Sequence, residues 1–235
     1  MVNVFSYCLY GPENPRYYPP MLTNIQLIQA QFPAWKVYVY VAPDVPQLMV
    51  DAMAAYPNVV LKPTGILGAK NMVERFFAID EPEVDLMLVR DADSYVHHRD
   101  RWAIREFVSS AYLAHTIRDH EDHTARMMGG LWGMRKSAGL RIRDLYGSYT
   151  EDESLGHRVA HDQNFLMDVV YPRIHMGLLV HYSKGPVFRG ETAIPFPFQW
   201  SPDFFCGRTE IVYQDRPAKL DMSMPLSFLH AVRRS

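Results

Sequence analysis

The chain has 235 residues, 48% of them hydrophobic, and its 24 lysine and arginine residues are balanced by 26 acidic ones. A chain of this length can bury a large core without disulfides or a structural metal. The formal net charge of −2 argues against a nucleic-acid-binding surface. No stretch approaches 18 consecutive apolar residues, so we predict no membrane-spanning helix.

The sequence contains two cysteines, Cys8 and Cys206. Cys8 falls in a predicted buried strand and Cys206 in a late loop, so we expect two free thiols and a reducing compartment. The N-terminal segment has neither the basic flank nor the long apolar run of a signal peptide. These features together predict a cytoplasmic protein.

Four predicted strands alternate with three predicted helices in the first 94 residues. The strands span residues 2–9, 35–42, 58–61 and 85–89. The apolar residues of the helices lie within 22–32, 48–56 and 72–79. This alternation is typical of βαβ units and predicts an α/β fold with a mostly parallel central sheet flanked by helices. The carboxyl ends of the strands in such a sheet share one rim, where nucleotides bind.

The second half of the chain has a less regular pattern. Its predicted elements are helices over 100–114, 137–146 and 157–171, strands over 127–134 and 178–182, a polar loop over 115–126 and a loop-rich tail from 185 onward. Asp100 is the predicted N-cap of the first of these helices. Because no repeat or linker is found, we expect one domain over 1–235. We divide it into a nucleotide-binding half (1–94) and an acceptor half (95–235), which would bind the second substrate.

Asp91 and Asp93 directly follow the fourth predicted strand, where an apolar run stops at the rim of the sheet. Mg²⁺ and Mn²⁺ prefer oxygen ligands and are commonly held by one or two carboxylates together with substrate phosphates. Such a cation would stabilise the negative charge on a departing nucleoside diphosphate. The pair therefore predicts a Mn²⁺ or Mg²⁺ site, with Ala92 in the donor site between the two ligands. A solvated turn, or a helix cap at Asp93, is the simpler alternative.

A second group of candidates ends the predicted strand 178–182. His181 could supply a third metal ligand as a neutral imidazole. Lys184 could neutralise phosphate charge, and Gly185 could let the backbone approach a diphosphate closely. The alternative for His181 is a strand-end histidine bonded to a carbonyl.

Asp162 and Gln163 lie in the predicted helix 157–171 and are the predicted catalytic residues. Asp162 could act as a general base toward an acceptor hydroxyl, or could hydrogen-bond the donor sugar. Its alternative is a helix cap near the strand 127–134.

Several rim residues complete the predicted donor site. Lys70 and Arg75 belong to the helix before the aspartates, where the first turn already favours anions. Tyr10, Gly11 and Arg16 follow the first strand, and Tyr10 could stack on a base while Gly11 leaves room for it. A solvated helix face is the alternative for Lys70 and Arg75.

The predicted loop 115–126 is rich in histidine and acidic residues. These are His115, Asp119, His120, Glu121, Asp122 and His123. The i, i+3 pair of His120 and His123 has no second pair to complete a zinc set. We expect a solvated, mobile loop that could become ordered over substrate.

These motifs together resemble those of GT-A type nucleotide-sugar glycosyltransferases. The matching motifs are Val-Arg-Asp-Ala-Asp-Ser at 89–94, the Gly129-Gly130 strand, His-Asp-Gln at 161–163 and His-Tyr-Ser-Lys-Gly at 181–185. The opening Tyr-Gly-Pro-Glu-Asn-Pro-Arg-Tyr-Tyr at 10–18 is similar to that of the small soluble glycosyltransferases of large algal viruses and some bacteria. The resemblance covers residues 1 to about 190.

The resemblance implies a single GT-A domain that transfers a sugar from a nucleotide-sugar, usually a UDP-sugar, to a glycan, glycoprotein or small acceptor. It implies Mn²⁺ or Mg²⁺ bound by Asp91 and Asp93, a late histidine, His181, completing the metal site, and Asp162 facing a sugar. A viral source would place the enzyme in the host cytoplasm. The histidine motif is shorter than in retaining enzymes, so the stereochemistry is left open.

Three other functions fit parts of the pattern. A phosphohydrolase would use Asp91 as nucleophile and Asp93 as acid–base, but its aspartates normally follow the first strand. A nucleotide-sugar binding module without turnover would lack the catalytic carboxylate, and Asp162 is present. A sugar nucleotidyltransferase would need a glycine-rich, basic loop after the first strand, which Gly-Pro-Glu-Asn-Pro does not supply.

Overall fold

The structure is a computed structural model that describes residues 1–150 and 161–209. The strands are β1 (Val2–Leu9), β2 (Lys36–Val41), β3 (Val59–Pro63), β4 (Val84–Arg90), β5 (Ala114–Arg118), β6 (Leu131–Arg135), β7 (Leu178–Tyr182) and β8 (Thr192–Pro195). The α-helices are α1 (Tyr18–Gln31), α2 (Gln47–Ala54), α3 (His98–Ser109), α4 (Ile142–Gly147), α5 (His161–Phe165) and α6 (Tyr171–Ile174). One long 3₁₀ helix covers Gly68–Asp80, and two short ones cover Lys136–Ala138 and His175–Gly177. A π-helical turn covers Leu166–Val170.

The eight strands form one sheet in the order β3-β2-β1-β4-β6-β5-β7-β8. Strand β6 runs antiparallel to its neighbours β4 and β5, and the other five strand pairs are parallel. The predicted α/β fold with a mostly parallel sheet is therefore confirmed. Because β1 and β4 are parallel neighbours, the connections that follow them leave from the same rim.

The sheet is covered on both faces, so its side chains alternate between two cores. Along β1, Val4 and Cys8 join one core, whereas Phe5, Tyr7 and Leu9 join the other. The first core packs against the 3₁₀ helix Gly68–Asp80 and α6, and the second packs against α1, α2 and α3. Burial on both faces explains why the central strands read as nearly continuous apolar runs.

The segment before β4 is a long 3₁₀ helix, Gly68–Asp80, rather than the predicted α-helix over 72–79. Side chains three residues apart are eclipsed in a 3₁₀ helix. Val73, Phe76 and Ile79 have this spacing and are each no more than 2% exposed, and the neighbouring Phe77 and Ala78 are buried beside them. A period of three and one of 3.6 are hard to distinguish over so few residues.

The predicted polar loop 115–126 is wrong in its first part, because Ala114–Arg118 form the buried strand β5. His115, Arg118 and Asp119 are fully buried and His123 nearly so, whereas Glu121 and Asp122 are exposed, so only the turn around 121–122 is solvated as predicted. The charges are neutralised in pairs: Arg99 binds Asp119, and Arg118 binds Glu191. A hydropathy pattern does not predict buried Arg–carboxylate pairs of this kind.

Two details of the helices also differ from prediction. Helix α3 begins at His98, and the ring of His97 accepts its capping hydrogen bond from Arg99 N at 3.3 Å. Asp100, the predicted cap, instead makes a buried ion pair with Arg90, with Nη2–Oδ1 at 2.8 Å. Leu48, predicted to face the core from α2, is 82% exposed.

The later elements are shorter than predicted. Helix 137–146 is divided into Lys136–Ala138 and α4, and the tail contributes the edge strand β8. Residues 157–160 of the predicted helix 157–171 lie outside the described residues. Its described part passes through the π turn and continues beyond Pro172 to Ile174, because Pro172 lies in the first turn of α6, where proline is tolerated. None of the described helices is long and apolar enough to span a bilayer.

Candidate functional site

The aspartate pair lies where β4 leaves the sheet, as predicted. Strand β4 ends at Arg90, and Asp91 is the next residue. The side chain of Asp91 is 45% exposed, whereas that of Asp93 is only 7% exposed. The two carboxylates therefore face different environments: Asp91 borders solvent, whereas Asp93 is nearly buried.

Arg75 joins Asp91 to Asp162 through a buried guanidinium. Its Nη1 makes a short ion pair with Asp91 Oδ1, and its Nη2 lies 3.0 Å from Asp162 Oδ2. Burial alone lowers the pKa of Arg75, but the carboxylates of Asp91 and Asp162 raise it more, so the guanidinium stays charged. The two predicted carboxylates, 71 residues apart in sequence, are thus held side by side by one cation.

Arg16 makes the corresponding contact with Asp93. Its Nε donates to Asp93 Oδ2 at 2.7 Å, and its guanidinium lies 5.3 Å from the ring centroid of Tyr17. Burial raises the pKa of Asp93 above its usual value, and the hydrogen bond from Arg16 opposes this shift without cancelling it. The connection 10–18 therefore reaches the aspartate pair, as the shared rim predicts.

Glycines at 129 and 130 leave the space that the carboxylates occupy. A Cβ added to Gly130 would lie 1.9 Å from Asp91 Oδ2, and one added to Gly129 would lie 3.5 Å from Asp162 Oδ2. Any side chain at 130 would collide with Asp91. Gly130 is thus required by the position of Asp91, whereas a Cβ at 129 would make only close contacts with Gln163 and Asp162.

Gln163, a predicted catalytic residue, uses both ends of its amide to hold the backbone before β6. Its Oε1 accepts from Gly129 N at 2.8 Å, and its Nε2 donates to the carbonyl of Met127. In this arrangement Gln163 positions the glycine segment, while the neighbouring Asp162 faces Arg75.

Two buried asparagines that the sequence analysis missed hold the rim in place. Asn24 Nδ2 donates to the carbonyls of Ala92 and Ser94, and its Oδ1 accepts from Val96 N. Asn71 Nδ2 donates to the carbonyls of Leu9 and Tyr40. An asparagine on the apolar side of a predicted helix is the one signal that could have indicated them, because a buried amide needs partners.

The structure does not bring His181 to the aspartate pair. His181 lies in β7, and β6 and β5 separate that strand from β4. At roughly 4.8 Å between neighbouring strands, the two strands are about 14 Å apart. The ring is fully buried, with Nδ1 2.8 Å from His115 Nε2, and burial lowers its pKa to about 4, so it is neutral near pH 7.

Lys184 and Gly185 follow β7 and have contacts of their own. The Lys184 ammonium lies 5.0 Å from the ring centroid of Trp200. A Cβ on Gly185 would lie 2.5 Å from Arg118 Cβ and 2.9 Å from the His123 carbonyl oxygen. The glycine at 185 is therefore explained by close packing within the protein.

The remaining predicted donor residues lie on the expected rim. Tyr10 is half-buried at the end of β1, and burial raises its pKa. Gly11 has a φ of 82°, a left-handed conformation that favours glycine. Ala92 is buried, and Lys70 is exposed in the first turn of the 3₁₀ helix.

Residues 204–207, in the described part of the tail, contact the aspartate segment, which the sequence did not reveal. Ser94 Oγ donates to the Gly207 carbonyl at 3.1 Å, and His97 Nε2 lies 3.0 Å from the Phe205 carbonyl oxygen. The residues from 204 to 207 therefore form one wall beside the site.

Within the described residues, no three or more His, Cys, Asp or Glu side chains are grouped as a metal site would require. Among the residues that the structure describes, a cation at Asp91 and Asp93 would therefore need further ligands from substrate and water.

Comparison with solved structures shows which known proteins share this fold. The fold matches a glycosyltransferase involved in the glycosylation of the major capsid of PBCV-1, with a TM-score of 0.54 and 15% identity over 77% of this chain and 82% of that one. The chain has a GT-A fold. The galactosyltransferase LgtC, in complex with donor and acceptor sugar analogs, matches this GT-A fold with a TM-score of 0.53 and 11% identity over 77% and 73% of the two chains.

A third match shows that the GT-A fold alone does not decide the reaction. A 4-diphosphocytidyl-2C-methyl-D-erythritol synthase from Anaerococcus prevotii DSM 20548 has a TM-score of 0.52 and 11% identity over 78% of this chain and 89% of that one. No protein-family model and no curated protein sequence matches the chain. The activity must therefore be argued from the site.

Proposed function

We propose that the protein is a metal-dependent glycosyltransferase of the hexosyltransferase type, which moves a sugar from a nucleotide-sugar to a glycan, glycoprotein or small acceptor. A UDP-sugar is the proposed donor. The observation that carries the proposal is the bridge made by Arg75 between Asp91, at the carboxyl end of β4, and Asp162, at the start of α5. A rim carboxylate pair that can hold a cation and a third, spatially adjacent carboxylate that can accept a proton are groups that suit this transfer.

The residues present fit a divalent cation. Asp91 and Asp93 supply carboxylate oxygens, the ligands that Mg²⁺ and Mn²⁺ prefer, and both already neutralise a cationic guanidinium. Gly130 leaves space for the Asp91 carboxylate at the rim. When bound, the cation would supply charge stabilisation for the departing diphosphate.

The chain's own groups have separate tasks in this proposal. Arg16 binds a phosphate oxygen, and the Arg75–Asp162 pair orients the donor sugar by hydrogen bonds to its hydroxyl groups. Asp162, beside the glycine segment, is the carboxylate available to accept a proton from the acceptor hydroxyl. Tyr10 and Gly11 line the position of the base at the end of β1.

The position of the aspartates argues against a phosphohydrolase. The aspartates of that chemistry normally follow the first strand, whereas these follow β4. A reducing, cytoplasmic setting is supported by the thiols of Cys8 and Cys206, which are both buried and free.

Replacing either rim aspartate by asparagine is expected to abolish metal-dependent nucleotide binding, because each substitution removes a charged oxygen ligand. A thermal-shift panel of UDP, GDP, CMP and TDP, with and without Mn²⁺, measures this, since ligand binding to the native state stabilises it by about 2.7 kcal/mol at 100 times Kd. We expect stabilisation of the unmodified protein by UDP with Mn²⁺ and none for Asp91→Asn or Asp93→Asn.

The matched control for this experiment is Asp144→Asn, which removes an exposed carboxylate from α4. This variant should keep the full nucleotide response. Equal stabilisation of all the variants by UDP with Mn²⁺ would exclude the aspartate pair as the metal site.

Asp162→Asn is expected to keep donor binding and lose turnover, because the amide retains the shape of the side chain but cannot accept a proton. Calorimetry with UDP and Mn²⁺ measures binding, and release of UDP from a UDP-sugar in the presence of acceptor measures turnover. Full activity in this variant would show that the role of Asp162 is limited to its ion pair with Arg75.

The same protein can be tested for the alternative reaction. Release of pyrophosphate from a nucleoside triphosphate and a sugar phosphate would identify a nucleotidyltransferase instead.

A further inference from the structure

The two arginines of the site are held very differently. Arg75 has a side chain that is 5% exposed and binds the Arg90 carbonyl as well as two carboxylates. Arg16 has a side chain that is 62% exposed, and among the described residues Asp93 is the carboxylate that it binds. Arg75 is therefore a fixed part of the site, whereas Arg16 can leave by rotation of its own side chain.

Arg16 occupies the carboxylate that the proposed function gives to a divalent cation. Its Nε lies 2.7 Å from Asp93 Oδ2, and the Asp93 side chain is 7% exposed. A carboxylate with so little accessible surface cannot hold a guanidinium and a divalent ion at the same oxygen, because the two cations would repel each other. If neither Arg16 nor a divalent ion were bound, the nearly buried charge of the Asp93 carboxylate would be left uncompensated.

The exposure of Arg16 keeps the exchange inexpensive. The exposed Arg16 guanidinium is hydrated by solvent when it leaves, and the arriving cation compensates the nearly buried Asp93 carboxylate in its place. The long, flexible side chain belongs to the connection 10–18, which shares the rim with the aspartates. A short rotation would turn its guanidinium from the carboxylate toward an anion bound at that rim.

We propose that Arg16 is a displaceable counter-ion of Asp93, which yields the carboxylate to a divalent cation and then binds the diphosphate that arrives with it. The proposal rests on the proposed function, and it adds that the protein selects the cation–nucleotide complex over the free cation. The two ligands are then coupled: free Mn²⁺ must compete with Arg16, but Mn²⁺ with UDP gives the displaced guanidinium a new partner.

Arg16→Gln tests the proposal, because the two ligands should respond with opposite signs. Titration calorimetry of the full chain with Mn²⁺ alone should show binding about threefold to fivefold tighter than in the unmodified protein, since the guanidinium that competes for Asp93 is gone. Titration with UDP at saturating Mn²⁺ should show binding about tenfold weaker, because a charge-assisted bond to phosphate is lost.

Arg141→Gln is the matched control. Its side chain is 69% exposed and pairs with Asp144 at 3.8 Å, so the variant loses the same charge from an arginine of similar exposure. Both affinities should stay unchanged in this variant, which separates local competition from the overall charge. Arg16→Lys, which retains a cation without the planar fork, should lie between the unmodified protein and Arg16→Gln for both ligands.

The results that overturn the proposal are an unchanged or weaker affinity of Arg16→Gln for Mn²⁺ alone, or an unchanged affinity for UDP with Mn²⁺. If the unmodified protein binds UDP with Mn²⁺, either result counts against the role given to Arg16 and not against the proposed function. Absence of that binding in the unmodified protein would overturn the proposed function itself, so the two failures are distinguishable.

Discussion

Replacing Arg75 with methionine is expected to lower the free energy of unfolding by about 3–5 kcal/mol, because it leaves the buried carboxylate of Asp162 without its cation. The Asp162 side chain is 5% exposed, so water cannot take over the role of the guanidinium. Donor binding should also be lost, since Asp91 would no longer be held against the glycine segment. Urea unfolding followed by circular dichroism measures the first effect, and calorimetry with UDP and Mn²⁺ measures the second.

A second substitution tests the reason for the lost stability. If an uncompensated charge is the cause, Asp162→Asn in the Arg75→Met background should recover part of the stability. Arg75→Lys keeps the charge, but a single ammonium cannot reproduce two separate contacts of the guanidinium, so partial loss is expected. A loss below about 1 kcal/mol in Arg75→Met, within the range of an exposed ion pair, would contradict the structural role given to this residue.

Gly130→Ala is expected to abolish metal-dependent nucleotide binding with a smaller loss of stability, about 1–3 kcal/mol, as overpacking usually costs. The added methyl would lie 1.9 Å from Asp91 Oδ2, so the carboxylate must turn away and break its contact with Arg75. The Asp91 side chain is 45% exposed and can move toward solvent, which limits the cost to the fold. Thermal shifts with UDP and Mn²⁺, with urea unfolding, measure the two effects.

Gly147→Ala is the matched control, because its added methyl would meet nothing within 4 Å. This variant should bind nucleotide normally and be at least as stable as the unmodified protein. Gly133→Ala makes a useful contrast, since its methyl would lie 2.6 Å from the Met87 carbonyl oxygen within the sheet. Normal nucleotide binding by Gly130→Ala would show that the Asp91 carboxylate need not occupy the position described.

The alternation of strands and helices in the first half was readable because its signals are local. Proline ends the predicted helices near residues 33 and 57, and β1 was predicted with its observed bounds. The rim argument then required only parallel strands, and it placed Asp91, Arg16 and Arg75 in one region. Their contacts confirm the common location, while their chemical roles remain proposals.

The second half was less predictable because its buried residues are polar. Strand β5 contains His115, Thr116 and Arg118, which pattern reasoning assigns to a loop. Each contacts a partner distant in sequence, as Arg118 does with Glu191 and His115 with His181. No local period reports such a partner.

The sequence by itself determined the alternating strands, the parallel sheet and the position of the aspartates at its rim, because periodicity and turn residues act over a few neighbours. Tertiary structure alone decided that Arg75 bridges Asp91 and Asp162, that Gln163 holds the backbone, and that His181 lies in the core. Those outcomes depend on which strands become neighbours and on which charges are buried together. Both are settled by long-range packing and desolvation, to which a single sequence gives no local signal.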